Sequence, residues 1–276
     1  MRAALIQLCS SDDPAANLRQ TLPLIEEAAE GGAEFVLTPE VTNCVSSSRT
    51  RQNEVLALQG DDITLAALRD VAARRGIWLL IGSLALRTGD ADGRFANRSF
   101  LIATDGTIAA RYDKIHMFDV TISDSESYRE SAGYRPGKRA VLAQTPFAAV
   151  GMTICYDIRF PHLYRNLAQK GAQILTVPSA FSPVTGAAHW HTLLRARAIE
   201  TGAYILAPAQ AGTHPATEGK PRQTYGHSLA VAPWGEVLAD GGDGTAVIYV
   251  DLDMAEVAQA RQRIPALMHD PEFGGP

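Results

Sequence analysis

Apolar residues recur along this chain with two periods. Leu18, Leu22 and Ile25 fall on one stripe of a helix over Pro14–Glu30, and Gly31 and Gly32 close it. Leu65, Leu68, Val71 and Ala72 repeat that spacing over residues 65–75, closed by Gly76. Between them run short apolar segments with the length of strands: residues 1–8, Phe35–Leu37 and residues 78–81. The opening therefore predicts β-α-β-α-β, with helices packed on a sheet. Residues 97–103 and 108–112 predict two more strands, joined by the turn residues Thr104-Asp105-Gly106-Thr107. The polar stretch 120–138 predicts a long loop, a length that accompanies active sites or disorder.

The second half repeats the mixture. Residues 149–154 read as a buried strand, and Pro161 opens a helix over 161–170 with Leu163, Leu167 and Ala168 facing inward. A strand over 174–177 follows, then a helix over 188–201, a strand at Tyr204–Ala207 and a loop over 210–225. Residues 229–232 and Ala246–Asp251 predict further strands, with a turn at Pro233-Trp234-Gly235-Glu236 and a short helix at Met254–Arg263. The expected fold is α/β, with two mixed sheets face to face and helices outside both, in four layers. No linker-like composition or repeat divides the 276 residues. One domain over 1–276 is expected, with a tail from about residue 253.

Charge and cysteine content narrow the function. A net charge of −5 offers no basic footprint for nucleic acid, so the expected partner is a small molecule. No apolar run approaches the roughly 20 residues of a membrane helix, and the N-terminal stretch is too short for a signal peptide. Three cysteines, Cys9, Cys44 and Cys155, form no close pair and suit a reducing cytoplasm.

Reactive residues stand where strands end. Glu40 follows Phe35–Leu37 at a strand's C-terminal edge, where open α/β sheets gather ligands. Lys114 follows the strand over 108–112. Cys155 ends the strand over 149–154, ahead of Asp157, Arg159 and Pro161. A thiol on such a turn is lifted from the sheet, with free N–H groups beside it for an oxyanion, and a following helix dipole would favour the thiolate. Each residue alone has an ordinary explanation: a small buried thiol, a capping carboxylate, a surface ammonium.

Together their contexts resemble the nitrilase superfamily, the carbon–nitrogen hydrolases. Pro39-Glu40, Lys114-Ile115-His116-Met117-Phe118-Asp119 and the run from Cys155 to Pro161 match that family's Glu, Lys and Cys segments in order. The resemblance implies a nitrilase-like α-β-β-α sandwich. It implies a nucleophile at Cys155, a general base at Glu40, and an oxyanion held by Lys114 and the Tyr156 N–H. A second glutamate is implied in the loop between lysine and cysteine. Tyr128-Arg129-Glu130-Ser131 fits its pattern, favouring Glu130 over Glu126. No cofactor or metal is implied, and copies are expected to pair as a homodimer or larger homo-oligomer through the helices over 161–170 and 188–201.

The second half resembles the Nit branch, and within it the deaminated glutathione amidases, through segments such as Ala209-Gln210-Ala211-Gly212-Thr213-His214 and Tyr225-Gly226-His227-Ser228. The ω-amidases, which act on α-ketoglutaramate, share much of this pattern. Two positions depart from it: His191 stands where glutamate is usual, and Ala232 where aspartate is usual. A substrate with carboxylates needs cationic partners, for which Arg159 and Arg195 are candidates. Two rival readings remain. One is a metal hydrolase using His189 and His191 with His116, His214 or His227, although imidazoles at i and i+2 of a helix point apart. The other is a non-catalytic module that kept the fold.

Overall fold

The computed structural model describes residues 1–123 and 126–275. In chain order the first half runs β1 (Arg2–Gln7), α1 (Pro14–Glu30), β2 (Phe35–Leu37), α2 (Arg49–Val55), α3 (Ile63–Arg75), β3 (Trp78–Arg87), β4 (Phe95–Ile102) and β5 (Ile108–Asp113). Then come β6 (Asp119–Ser123), β7 (Glu126–Arg129), α4 (Glu130–Gly133), β8 (Val141–Gln144) and β9 (Ala149–Met152). A 3-10 turn, Cys155–Arg159, leads to α5 (Pro161–Gln169), β10 (Ile174–Thr176), α6 (Pro183–Thr201) and β11 (Tyr204–Ala207). The chain ends with β12 (Ala211–Thr213), β13 (Gln223–Tyr225), β14 (Leu229–Val231), β15 (Val237–Asp240), β16 (Ala246–Asp251) and α7 (Met254–Arg263).

Two six-stranded sheets result, in the orders β16-β1-β2-β3-β4-β5 and β15-β14-β11-β10-β9-β8. Each has three parallel strands at its centre, β1-β2-β3 and β9-β10-β11, with antiparallel neighbours outside them. The strand period of two sorts side chains between layers. Ala3, Leu5, Phe35, Leu37 and Leu80 share a core with Val150, Met152, Ile174 and Leu206 of the other sheet. Their neighbours Ala4, Ile6, Val36, Leu79 and Ile81 pack instead with Ile25 and Ala28 of α1 and Leu65, Leu68 and Val71 of α3. Leu163 and Leu167 of α5, with Trp190, Leu194 and Ala198 of α6, cover the second sheet. A one-residue slip in a central strand would exchange these two sets, so the apolar pattern fixes the register. The expected four-layer sandwich is present.

Several elements differ from the expected ones. The stretch 120–138 holds the hairpin β6–β7 and the helical turn α4, and 210–225 holds the hairpin β12–β13. The polar helix α2 and the strands β8 and β15 were not expected, and α6 starts at Pro183, behind an N-cap at Ser182. The side chain of Glu126 lies outside the described residues. Among the described residues no helix is long and apolar enough to cross a membrane.

One close approach positions the loop after β2. Thr38 N–H donates to the Leu80 carbonyl at 2.9 Å, Gly82 N–H to Thr38 Oγ1 at 3.1 Å and Val41 N–H to Ser83 Oγ at 2.8 Å. A Cβ at Gly82 would meet the Thr38 and Pro39 carbonyl oxygens and lie 2.5 Å from the Pro178 side chain. Gly82→Ala is therefore expected to destabilise the protein by about 1–3 kcal/mol, as overpacking does. A drop in the denaturation midpoint checks this, and an unchanged midpoint contradicts it.

Candidate active site

Four chain segments bring reactive groups to one place. Glu40 stands three residues after β2, Lys114 directly after β5, Cys155 after β9, and Glu130 at the start of α4. Lys114 Nζ donates to Glu40 Oε1 at 2.9 Å and to both Glu130 oxygens at 3.0 and 2.9 Å. Asn97 Nδ2 on β4 donates to Glu40 Oε1 at 2.8 Å, and the Ala180 N–H to Glu40 Oε2 at 2.8 Å. The Phe118 N–H donates to Glu130 Oε2 at 2.6 Å. The Cys155 side chain lines the same cavity as Glu40, Lys114 and Glu130. Glu40 is 4% exposed, Lys114 2% and Cys155 7%, so these charges have one another in place of water.

Cys155 sits in a left-handed backbone conformation, φ 46°, at the head of its 3-10 turn. For a non-glycine residue this conformation persists only where the surroundings enforce it. Asp157, fully buried, does much of that enforcing. Its Oδ2 accepts from the Ile154 N–H at 2.9 Å and the Tyr112 hydroxyl at 2.7 Å, and its Oδ1 accepts from the His116 N–H at 3.1 Å. The His116 ring contacts Asp157 through Nδ1 at 2.6 Å and stacks on Phe160, centroids 3.6 Å apart. The Cys155 N–H donates to the Pro178 carbonyl and the Asp157 N–H to the Ile154 carbonyl.

The electrostatics decide where the protons rest. Burial works against a charged Lys114, but Glu130 and Glu40 outweigh it and hold the ammonium well above the ordinary lysine range. Burial also works against an ionised Glu40, yet Lys114 and Arg222 outweigh it and hold the carboxyl below its ordinary range. Burial, then the Glu40 charge, push the Cys155 thiol up, and Lys114 counters them only in part. The resting site is a thiol, a carboxylate and an ammonium. The helix expected to favour the thiolate, α5, is set off from the sulfur by the five-residue 3-10 turn, and the carboxylate beside the sulfur works against ionisation.

A cavity of about 510 Å³ opens over these groups. Tyr156 lines it, with Phe118 and Tyr128. Arg159 does not; its guanidinium lies over the rings of Tyr156 and Phe181, at 6.0 and 5.5 Å. Arg195 is also outside the cavity, exposed, with Nε donating to the Gly235 carbonyl at 2.8 Å. The cavity's cations are Arg222, Arg49 and Arg129 besides Lys114, and Asn97 is a further wall residue not foreseen. Arg222 Nε and Thr185 Oγ1 are buried without hydrogen-bond partners. None of the histidines considered as metal ligands lines the cavity. His214 is buried, bonded to the Ser10 carbonyl and Thr224, and burial pushes it down to about 4.

The sequence of residues 2–262 matches the family model described as carbon-nitrogen hydrolase. The chain is a carbon–nitrogen hydrolase. It is 40% identical to a deaminated glutathione amidase of Yersinia enterocolitica, over 97% of this chain and 92% of that protein. It is 37% identical to an omega-amidase of Homo sapiens, over 96% of this chain and 92% of that one. The crystal structure of the Caenorhabditis elegans NitFhit protein superposes with a TM-score of 0.90 at 35% identity, covering 98% of this chain and 64% of that longer one. As a member of this family the protein is a hydrolase of carbon–nitrogen bonds other than peptide bonds.

In this hydrolase Lys114→Met would leave Glu40 and Glu130 facing each other without the ammonium between them. At neutral pH the expected destabilisation is about 3–5 kcal/mol. Without the ammonium, burial works against the ionised Glu40 with only Arg222 left to oppose it, so the deficit eases as pH falls and Glu40 takes up a proton, and grows as pH rises. Chemical denaturation of the variant should therefore show a smaller deficit at pH about 5 than at neutral pH. An equal deficit contradicts the charge assignment.

Proposed function

We propose that this hydrolase is a cysteine-dependent amidase that opens the amide of a small carboxylated substrate through a thioester. The observation that carries this reading is the buried Lys114 ammonium, bonded to Glu40 and Glu130 in the cavity that also holds Cys155. In the first half-reaction Sγ attacks the amide carbon while its proton passes to Glu40. The carbonyl oxygen becomes an oxyanion between Lys114 Nζ and the Tyr156 N–H. Glu40 returns the proton to the departing nitrogen as the C–N bond breaks. Glu40 then takes a proton from water, whose oxygen attacks the thioester. The C–S bond breaks and the proton returns to sulfur. Glu130 holds Lys114 in place and does not itself exchange a proton.

The substrate read from the site is deaminated glutathione, hydrolysed to 2-oxoglutarate and Cys-Gly. Its carboxylates suit Arg222, with its unpaired buried Nε, and Arg49. The cavity's volume falls within the range that encloses a ligand of that size. Relatives named deaminated glutathione amidase at 36–40% identity support this reading. The human omega-amidase, at 37%, supports α-ketoglutaramate as the second reading. The free state of Cys9, Cys44 and Cys155 supports a reducing cytoplasm. Exposed Val184 and Ile199 on α6 support pairing of two copies through that helix and α5.

Two measurements test the function. Cys155→Ala is expected to lower kcat by about 10⁴-fold or more on any amide. Activity that survives this change and is lost to a chelator would contradict the thiol mechanism. Arg222→Met is expected to cost deaminated glutathione at least about tenfold more in kcat/KM than it costs acetamide, because only the former brings a carboxylate. For the wild type, a higher kcat/KM on α-ketoglutaramate than on deaminated glutathione would replace the first reading with the second.

A further inference from the structure

Outside the cavity, three side chains from distant parts of the chain meet at the surface. His191 lies on α6, His227 between β13 and β14, and Asp240 at the end of β15. Asp240 Oδ2 is 2.9 Å from His191 Nε2 and 3.1 Å from His227 Nδ1. One ligand atom from each residue lies within 4.8 Å of the other two. We propose that His191, His227 and Asp240 form a binding site for a divalent transition-metal ion of the Zn²⁺ class, separate from the catalytic cavity.

Three features favour an ion over a chance surface cluster. The first is the donor set. Two imidazoles and one carboxylate suit Zn²⁺ and its neighbours, with a fourth, open position for water. Donor separations near 3 Å need only a small adjustment to surround a centre at about 2.0–2.2 Å from each ligand atom.

The second is the outer contact of His227. Its Nε2 lies 3.3 Å from Asp243 Oδ1. A metal-binding imidazole commonly donates its other N–H to a carboxylate in this way, which fixes the tautomer and orients the ring. Here Nδ1 is the nitrogen turned toward Asp240.

The third is preorganisation by groups that are not ligands. His227 has φ 54°, directly after Gly226 at φ 76°. Its N–H donates to the Gly242 carbonyl at 2.7 Å, and its carbonyl accepts from Trp190 Nε1, the neighbour of His191, at 2.8 Å. The Gly242 N–H donates to Asp240 Oδ1 at 2.9 Å; that oxygen also lies 2.8 Å from His227 Nδ1, and Oδ2 reaches both imidazoles. The His227 ring also stacks on Tyr225, centroids 4.6 Å apart. The ligand side chains are 24–37% exposed, so an ion has a path to them. An ion there would tie α6 to β15 and to the segment before β14, and so would stabilise the fold without touching the chemistry.

Calorimetric titration with Zn²⁺ tests the site in the full-length Cys155→Ala protein, which removes the catalytic thiol as a competing ligand. The expected result is one Zn²⁺ per chain, with affinity reduced at least about tenfold in His191→Ala and in Asp240→Ala. His189→Ala, two residues away on α6 with its ring toward Arg159, should bind as the parent does. Zn²⁺ should also raise the Tm of the parent and not that of His191→Ala. No binding up to millimolar Zn²⁺, or unchanged affinity in either His191→Ala or Asp240→Ala, overturns the proposal. So does an equal loss in His189→Ala. Because the parent in these titrations is catalytically dead, the result is independent of which amide the enzyme hydrolyses.

Discussion

A lysine ammonium held almost out of water sets the terms for everything around it. Lys114 is 2% exposed, and a charge so placed is tolerable only where opposite charges and hydrogen-bond acceptors surround it. Glu40 meets that need from the loop after β2 and Glu130 from the first position of α4. The same carboxylates repel each other without the lysine. The three side chains therefore require one another, and the fold must deliver all three to one spot.

The two-sheet sandwich does this with unremarkable parts. The central strands of both sheets bury apolar residues on both faces, which fixes their ends. The loop after β2 is laced to β3 across Gly82, and the Cys155 turn is pinned by Asp157, Tyr112 and His116. Positive φ at both Val41 and Cys155 shows that the backbone is held away from its preferred basins beside the base and at the sulfur. Such strain persists because surrounding hydrogen bonds over-determine it.

Much of this was legible in the amino-acid sequence. Most strands and helices with strong apolar periods stand within a few residues of their expected bounds, because burial on a defined face is what periodicity encodes; β3, which runs on to Arg87, and α6, which starts at Pro183, extend five or six residues further. Glu40, Lys114 and Cys155 were visible as polar residues closing apolar strands, and the likeness of their contexts to a known family linked them. Residues that act by tertiary contact were not legible. The helix α2 is short and polar, Arg-Thr-Arg-Gln-Asn-Glu-Val, so no stripe announced it, yet it supplies Arg49 and Gln52 to the cavity wall. Arg222 lies in a segment with no apolar pattern, and nothing local distinguished it from Arg195, which turned out to bond the Gly235 carbonyl outside the cavity. The setting of the sulfur was legible only in part, since local sequence suggests a dipole but not the depth of burial or a carboxylate 115 positions earlier.

Everything in this mechanism turns on where the proton rests before substrate arrives. The ultraviolet absorbance of thiolate reads it, taken as the difference between the wild type and Cys155→Ala while pH is raised from about 5 to 9. No titration step from this sulfur is expected across that range, because the proton remains on it until a substrate is attacked. A step at or below neutral pH would mean a preformed thiolate, and would contradict the assignment of Glu40 as the base that removes the proton during the reaction.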